Sequence, residues 1–214
     1  MQRRMASILT TGAAAGAAFV LAAVPAAAAG SFTVTNLNAD GHFAAATDLV
    51  LLTDNTSGVG FECDASGSTP ASNSTGSIPT GTSADVVGKL SVDFNNCTGP
   101  LGAGTAVANN QPYSLHITGY DAAGGKSTGY VGPVSVHAST LGCEFDVTGN
   151  APATYDNATG TLSFTPDAAL PAGVTPLKPA NIDGCFGLVS PTDELVYEAD
   201  YHLSDPSTPI TITG

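Results

Sequence analysis

VGPVSVHASTLGCEFDVTGNAPATYDNATGTLSFT, residues 131–165, is built on a period of two. Val134, Val136 and Ala138 alternate with Ser135, His137 and Ser139. After Gly142, Cys143, Phe145 and Val147 alternate with Glu144, Asp146 and Thr148. Successive side chains of a strand point to opposite faces, so this alternation predicts strands with one apolar face. Asp156-Asn157-Ala158-Thr159-Gly160 is turn chemistry, with Gly160 free to take positive φ. Leu162 and Phe164 then resume the alternation, which completes strand, turn, strand, turn, strand. Cys143 falls on the apolar face, and its sulfur points at a core.

Working outward, the same pattern recurs. Phe32-Thr33-Val34-Thr35 predicts a first strand. Leu49 to Thr53 is apolar enough to predict a strand buried on both faces, and Asp54 to Gly58 a turn. Val59, Phe61 and Cys63 alternate with Gly60, Glu62 and Asp64. Val86 to Phe94 and Tyr113 to Thr118 predict further strands, and Asp121 to Gly125 a turn. Ser66 to Thr82, rich in Ser, Thr, Gly and Pro, is expected to be mostly exposed loop, as is Gly102 to Asn110. Near the end, Leu195, Tyr197, Ala199, Tyr201 and Leu203 alternate with Glu194, Val196, Glu198, Asp200 and His202. With no amphipathic helical window, the fold class is all-β: an antiparallel β-sandwich or flattened barrel. A hydrophobic content of 43% is too high for a disordered chain.

The first 29 residues read as a secretory signal. Arg3 and Arg4 precede an alanine-rich apolar run, and Ala27-Ala28-Ala29 makes a small-residue cleavage site. Residues 30–214 are then one secreted β domain, long enough for a core of its own. Losing Arg3 and Arg4 takes the net charge from −13 to −15 and leaves Lys89, Lys126 and Lys178 as the fixed cations. Such a chain cannot neutralise a phosphate backbone, so nucleic acid is not an expected partner. Anionic membranes should repel it, and no membrane association is expected after cleavage. The charge also keeps a secreted protein soluble.

Four cysteines in an exported chain predict disulfides. Of the three possible connectivities, an internal echo favours Cys63–Cys97 with Cys143–Cys185. NNCTGPLG around Cys97 resembles DGCFGLVS around Cys185, and the Ser/Thr/Gly-rich stretch after Cys63 resembles that after Cys143. The echo predicts two related strand groups, each closed by its own disulfide, as two sheets of a sandwich or two halves of one barrel. Zinc would need closely spaced cysteine pairs, which are absent.

The cysteine and turn motifs also carry a resemblance. Cys-Thr-Gly-Pro-Leu stands at Cys97 to Leu101, Pro112-Tyr113 opens a strand, and Tyr155 to Leu162 follows Gly142-Cys143. Gly-Cys-Phe-Gly-Leu ends the set at Gly184 to Leu188. Together these resemble a group of small secreted proteins common in actinobacteria. More distantly they are similar to the secreted "protein activator of alkane oxidation" family. The resemblance spans nearly all of the chain after residue 30 and implies export and a disulfide-stapled β fold. It brings no catalytic residues, and it departs from the family where Tyr113 stands in place of the usual tryptophan.

Candidate chemistry is sparse. Gly125-Lys126-Ser127-Thr128-Gly129 matches G-x-S-x-G, but no helix follows, so a hairpin turn is expected. Tyr120 stands where a phosphate loop needs its first glycine. His116 and His137 fall on polar faces and are expected to be solvated. Glu198, Asp200 and His202 share the outer face of the last long strand, about 6.5–7 Å apart along it. They are the candidate metal ligands if a neighbouring strand supplies another donor, and otherwise a solvated acidic face. No cofactor is expected. The expected function is that of a secreted, non-enzymatic protein of the cell surface or extracellular matrix, acting by binding or assembly. The alternatives are a hydrolase with a cryptic site around Ser127 and a nearby histidine, and a small inhibitor presenting the loop Ser66–Thr82.

Overall fold

The computed structural model describes residues 30–166, 168–205 and 207–214. The signal peptide read at residues 1–29 lies outside them. Among the described residues there are sixteen strands, one short 3-10 turn and no α-helix. The first eight strands are β1 (Phe32–Asn36), β2 (His42–Thr47), β3 (Leu49–Asp54), β4 (Gly60–Asp64), β5 (Ser72–Ser77), β6 (Gly81–Ser83), β7 (Val86–Val92) and β8 (Cys97–Gly99). Then come β9 (Gly102–Ala108), β10 (Tyr113–Asp121), β11 (Lys126–Thr140), β12 (Cys143–Asp156), β13 (Thr161–Phe164), β14 (Lys178–Gly184), β15 (Leu195–Leu203) and β16 (Ile210–Thr213). All pairings between these strands are antiparallel.

Residues 131–165 supply most of the spine of the molecule. β11 and β12 form one long hairpin, paired from Lys126↔Asp156 to Thr140↔Cys143. Residues 126–132 of β11 pair on their other side with β10, and residues 136–140 pair with β9. β15 divides its partners in the same way. Residues 195–198 pair with β3, residues 199–202 with β13, and residues 202–203 with β2. Thirteen strands therefore make one sheet that closes on itself. The path β12–β13–β15–β2–β5–β7–β10–β11 returns to β12, and β3–β4–β8–β9 gives a second route from β15 to β11. The fold is a closed antiparallel barrel, which leaves few strand edges open.

The remaining sheet, ordered β16–β1–β6, caps the end at which β12 finishes. Phe32, Val34, Ile210 and Ile212 bury their side chains there. Tyr155 Oη donates to the Ile210 carbonyl at 2.8 Å. Asn157 exchanges two hydrogen bonds with the Ile212 backbone, at 2.7 and 2.9 Å.

Alternation places the core. Cys143, Phe145, Val147, Ala151 and Ala153 of β12 are all buried, and Phe145 meets Phe61 edge-on at 5.7 Å. On β15, Leu195, Ala199 and Tyr201 are buried while Asp200 and His202 are exposed, as the sequence predicts. Phe164 stacks edge-on against Tyr197 and Tyr201, at 5.0 and 5.9 Å. Among the described residues, cavities of about 70 and 60 Å³ lie inside, and Val131 and Tyr201 stand in the walls of both.

Both favoured disulfides are present, Cys63–Cys97 and Cys143–Cys185. Of the two arrangements the echo predicted, the single barrel is found. The two cysteine pairs staple neighbouring segments of one sheet, Cys63 lying opposite Cys97 and Cys143 opposite Gly184. Three local expectations are corrected. Ser66–Thr82 is loop only in part, because it holds β5, which lies between β2 and β7, and the first two residues of β6. Its buried positions include Ser72 and Ser74, so it buries one face without apolar alternation. Gly102–Asn110 contains β9, where the Phe61 ring lies close over Gly104 and supplies the apolar cover. Leu49 is 45% exposed, so β3 buries one face only; Val50 is the buried neighbour.

Candidate functional site

The most distinctive local geometry lies at the end of the barrel away from the cap. Gly184, Cys185, Phe186 and Gly187 all have positive φ, at 69°, 60°, 50° and 79°. Two of these are not glycine, and a non-glycine residue held there costs about 1–3 kcal/mol. Three constraints hold the turn. Cys185 is bonded to Cys143, its amide donates to the Gly142 carbonyl at 3.1 Å, and Leu188 N donates back to Cys185 O at 2.8 Å. Gly184 could carry no side chain, since a Cβ there would stand 2.2 Å from the Gly142 carbonyl oxygen.

The consequence is that Phe186 stands in water with 80% of its surface exposed. It lies beside the Leu141–Gly142 turn of the β11–β12 hairpin, where Leu141 is 79% exposed. Below this apolar pair is a polar collar. His137 Nδ1 meets Asp146 Oδ1 at 2.9 Å, and Asn181 Nδ2 donates to Asp146 Oδ2 at 2.7 Å. The Asn181 amide first, and then His137, hold the Asp146 carboxyl below the usual carboxylate range. The tip thus offers two apolar side chains on a pinned backbone, above a rim that carries His137, Asp146 and Asn181.

Glu198, Asp200 and His202 line one groove of about 550 Å³, together with Asp48. Leu49, Leu51 and Phe164 also line it, beside the bend at Asp48 that separates β2 from β3. The groove does not gather the acids round a common point. Among the described residues no group of three or more His, Cys, Asp or Glu side chains is placed to hold a metal ion. His202 Nδ1 is also engaged with Thr161 Oγ1 at 3.0 Å.

Ser127 lies near the start of β11, directly after the turn that joins β10 to β11. It is 3% exposed, and its hydroxyl has no hydrogen-bond partner. A serine nucleophile needs a base within hydrogen-bond reach, and Ser127 has none. His116 is not solvated as expected. Its ring stacks on Tyr130 at 4.3 Å and its Nδ1 meets Asp85 at 2.8 Å. The strand pairing that brings Tyr130 opposite His116 is what covers it.

No family model, curated protein or solved structure matches this chain. In the sequence, Gly184 to Leu188 carries an echo and a resemblance, but neither Phe186 nor Leu141 is marked there as a contact residue. The visible signal was Gly184-Cys185-Phe186-Gly187, an aromatic residue between a disulfide cysteine and a glycine in a turn. Leu141 was equally visible as an apolar residue in a two-residue hairpin turn.

Proposed function

We propose that this is a secreted, non-enzymatic protein of the cell surface or extracellular matrix, and that it binds its partner through Leu141 and Phe186. The observation that carries the reading is Phe186, held out in water by a disulfide-pinned turn of four left-handed residues. Strained backbone persists where surrounding structure enforces it, and such strain clusters at recognition elements. Aromatic anchors dominate binding energies, and rigid ones lose little entropy on contact.

Export is supported by the signal-like segment at residues 1–29 and by two disulfides, which form in oxidising compartments. Among the described residues no helix is long and apolar enough to cross a membrane. Most of the barrel's large apolar side chains among the described residues lie inside, whereas barrels that span membranes carry an apolar band outside. The two alternatives have less support. A hydrolase centred on Ser127 lacks a base for that residue, and an inhibitor loop at Ser66–Thr82 would have to be drawn out of the sheet.

The test is retention by producing cells and by cell-wall or matrix preparations, measured for the mature protein and for Leu141→Ser/Phe186→Ser. The variant should lose at least about tenfold in affinity with an unchanged melting temperature. Equal retention would refute binding at the tip. Turnover of ester, peptide or glycoside reporters by the wild type would refute the non-enzymatic reading.

A further inference from the structure

The outer face of β3 carries a second, independent feature. Val50 and Leu52 of this strand turn inward and line the larger cavity, so Leu49 and Leu51 turn outward. Leu49 is 45% exposed. The strand register sets carboxylates on both sides of this pair. Leu51 stands opposite Glu62 of β4 on one side and Glu198 of β15 on the other. Leu49 stands opposite Asp64 of β4, and on its other flank Asp200 follows Glu198 on the same face of β15. Residues paired across an antiparallel sheet share a face, so the two leucines make an apolar strip between two rows of acids. On the β15 side the strip opens into the groove of about 550 Å³ that Asp48 also lines. His202 ends the β15 row, with its Nδ1 turned to Thr161 Oγ1.

Like charges gathered on one face repel, and the fold supplies no cation to offset them. Among the described residues none of these carboxylates is ion-paired to a lysine or a histidine. Lys89, Lys126 and Lys178 stand on β7, β11 and β14, and none on β2, β3, β4 or β15. The crowding shows at Glu62, whose carboxyl is held above the usual glutamate range by a hydrogen bond with Asp64 and by the Asp64 charge. An exposed apolar strip with a charged rim is the pattern of an interaction surface, and a rim of one sign selects a partner of the other. The spacing narrows the choice further. Glu198 and Asp200, like Glu62 and Asp64, lie two residues apart, about 6.5–7 Å along the strand. Alternate side chains of any extended peptide repeat at the same interval. Lysine and arginine combine an apolar stem with a cationic head, which matches leucines flanked by carboxylates.

We propose that this face binds an extended basic segment of another protein, with lysine or arginine at alternate positions. The stems lie over Leu49 and Leu51, and the charged heads reach Glu198 and Asp200 on one side and Glu62 and Asp64 on the other. The surface involves neither Leu141 nor Phe186, and it does not depend on what the tip binds.

Methyl resonances of the full mature chain are followed while a capped peptide, Lys-Thr-Lys-Thr-Lys, or its isomer Lys-Lys-Lys-Thr-Thr is added at low salt. The alternating peptide should shift Leu49 and Leu51 saturably and leave Leu115 and Leu162, which line the smaller cavity, in place. The isomer should bind at least about threefold more weakly, and sodium chloride at about 0.5 M should weaken the alternating peptide at least about tenfold. Glu198→Gln/Asp200→Asn should raise its Kd at least about tenfold. Asp40→Asn/Asp121→Asn removes the same charge from turns elsewhere and should stay within about twofold. Calcium chloride should compete no better than sodium chloride of equal ionic strength. The proposal is overturned if the shifts fall elsewhere or do not saturate, or if the two isomers bind alike. It is overturned equally if the remote variant weakens binding as much as the groove variant, or if calcium displaces the peptide specifically, which would make the acids a metal site. The wild-type shifts and the comparison of isomers decide the matter even if a variant does not fold.

Discussion

Tyr201→Phe removes one oxygen atom from the middle of the barrel, and its cost can be worked from the contacts. Tyr201 is 2% exposed. Its hydroxyl donates to Ser72 Oγ at 2.7 Å and shares a second hydrogen bond of 2.8 Å with Tyr197 Oη. Ser72 keeps its own bond to the Asp93 carbonyl after the substitution, so that arm loses about 1 kcal/mol. Tyr197 Oη loses the partner it has inside the barrel, and a stranded buried hydroxyl adds about 1–2 kcal/mol. The sum is about 2–3 kcal/mol, or a melting temperature lower by about 4–12 °C for a domain of this size. Tyr201→Ala, which also forfeits the contact with Phe164, should cost about 3–5 kcal/mol. Asp200→Ala, one residue away on the exposed face, should stay within about 0.5 kcal/mol. Thermal and urea melts followed by far-ultraviolet circular dichroism, with the disulfides intact, measure all three. If Tyr201→Phe melts with the wild type while Tyr201→Ala does not, the hydroxyl network is not formed. If Asp200→Ala is the costlier substitution, the facing of β15 is wrong.

Replacing Cys143 and Cys185 together by serine opens a loop with a sequence separation of 42 and should cost about 4 kcal/mol by loop-closure entropy; an unchanged urea midpoint would contradict that. Gly184→Ala should destabilise by about 2 kcal/mol or more, because φ is 69° and the new methyl meets the Gly142 carbonyl. Asp146 has a depressed folded pKa, so it binds fewer protons folded than unfolded. Its contribution is present above the unfolded value of about 3.9 and lost as pH falls through the folded value. The acid limb of stability should therefore be shallower in Asn181→Ala, and identical limbs would refute the linkage. Burial pushes the Tyr155 hydroxyl up to about 12, so the folded state holds its proton longer than the unfolded state. Stability should fall as pH rises from about 10 towards 12, with tyrosinate absorbance appearing at Tyr155 only near or with unfolding.

The parts of this fold that were legible in sequence are those where burial is written in apolar residues. β12 and β15 alternate large apolar and polar side chains, and a slip of one residue would bury Glu198, Asp200 and His202, so their facing was determined in advance. β5 and β9 were not legible for the opposite reason. The buried positions of β5 are Ser72 and Ser74, while β9 turns only Gly104, Ala106 and Ala108 inward, half-buried, with Phe61 covering Gly104. A strand that contributes space to a core leaves no hydrophobic period to read. The same holds for the sites. Ser127 stands in a G-x-S-x-G motif whose strand-to-helix geometry is absent, and its burial follows from the strands that pair on either side of β11. Phe186 looked like one more apolar residue, because only the backbone angles of residues 184–187 turn it outward.

The cap also fixes an order of events during synthesis. β1 and β16 pair along Thr33↔Thr213 to Asn36↔Ile210, so the first strand of the domain waits for the last. Ring closure likewise waits for β15, which brings Tyr201 and its partners to β2, β3 and β13. Contacts so distant in sequence form late, because the entropy of closing the loop must be met before they form. The interior therefore stays open to its surroundings until the final residues are delivered, and Ile210 and Ile212 are the last pieces of wall to arrive. For an exported chain, whatever solvent or solute the barrel encloses is taken from the compartment in which translocation ends.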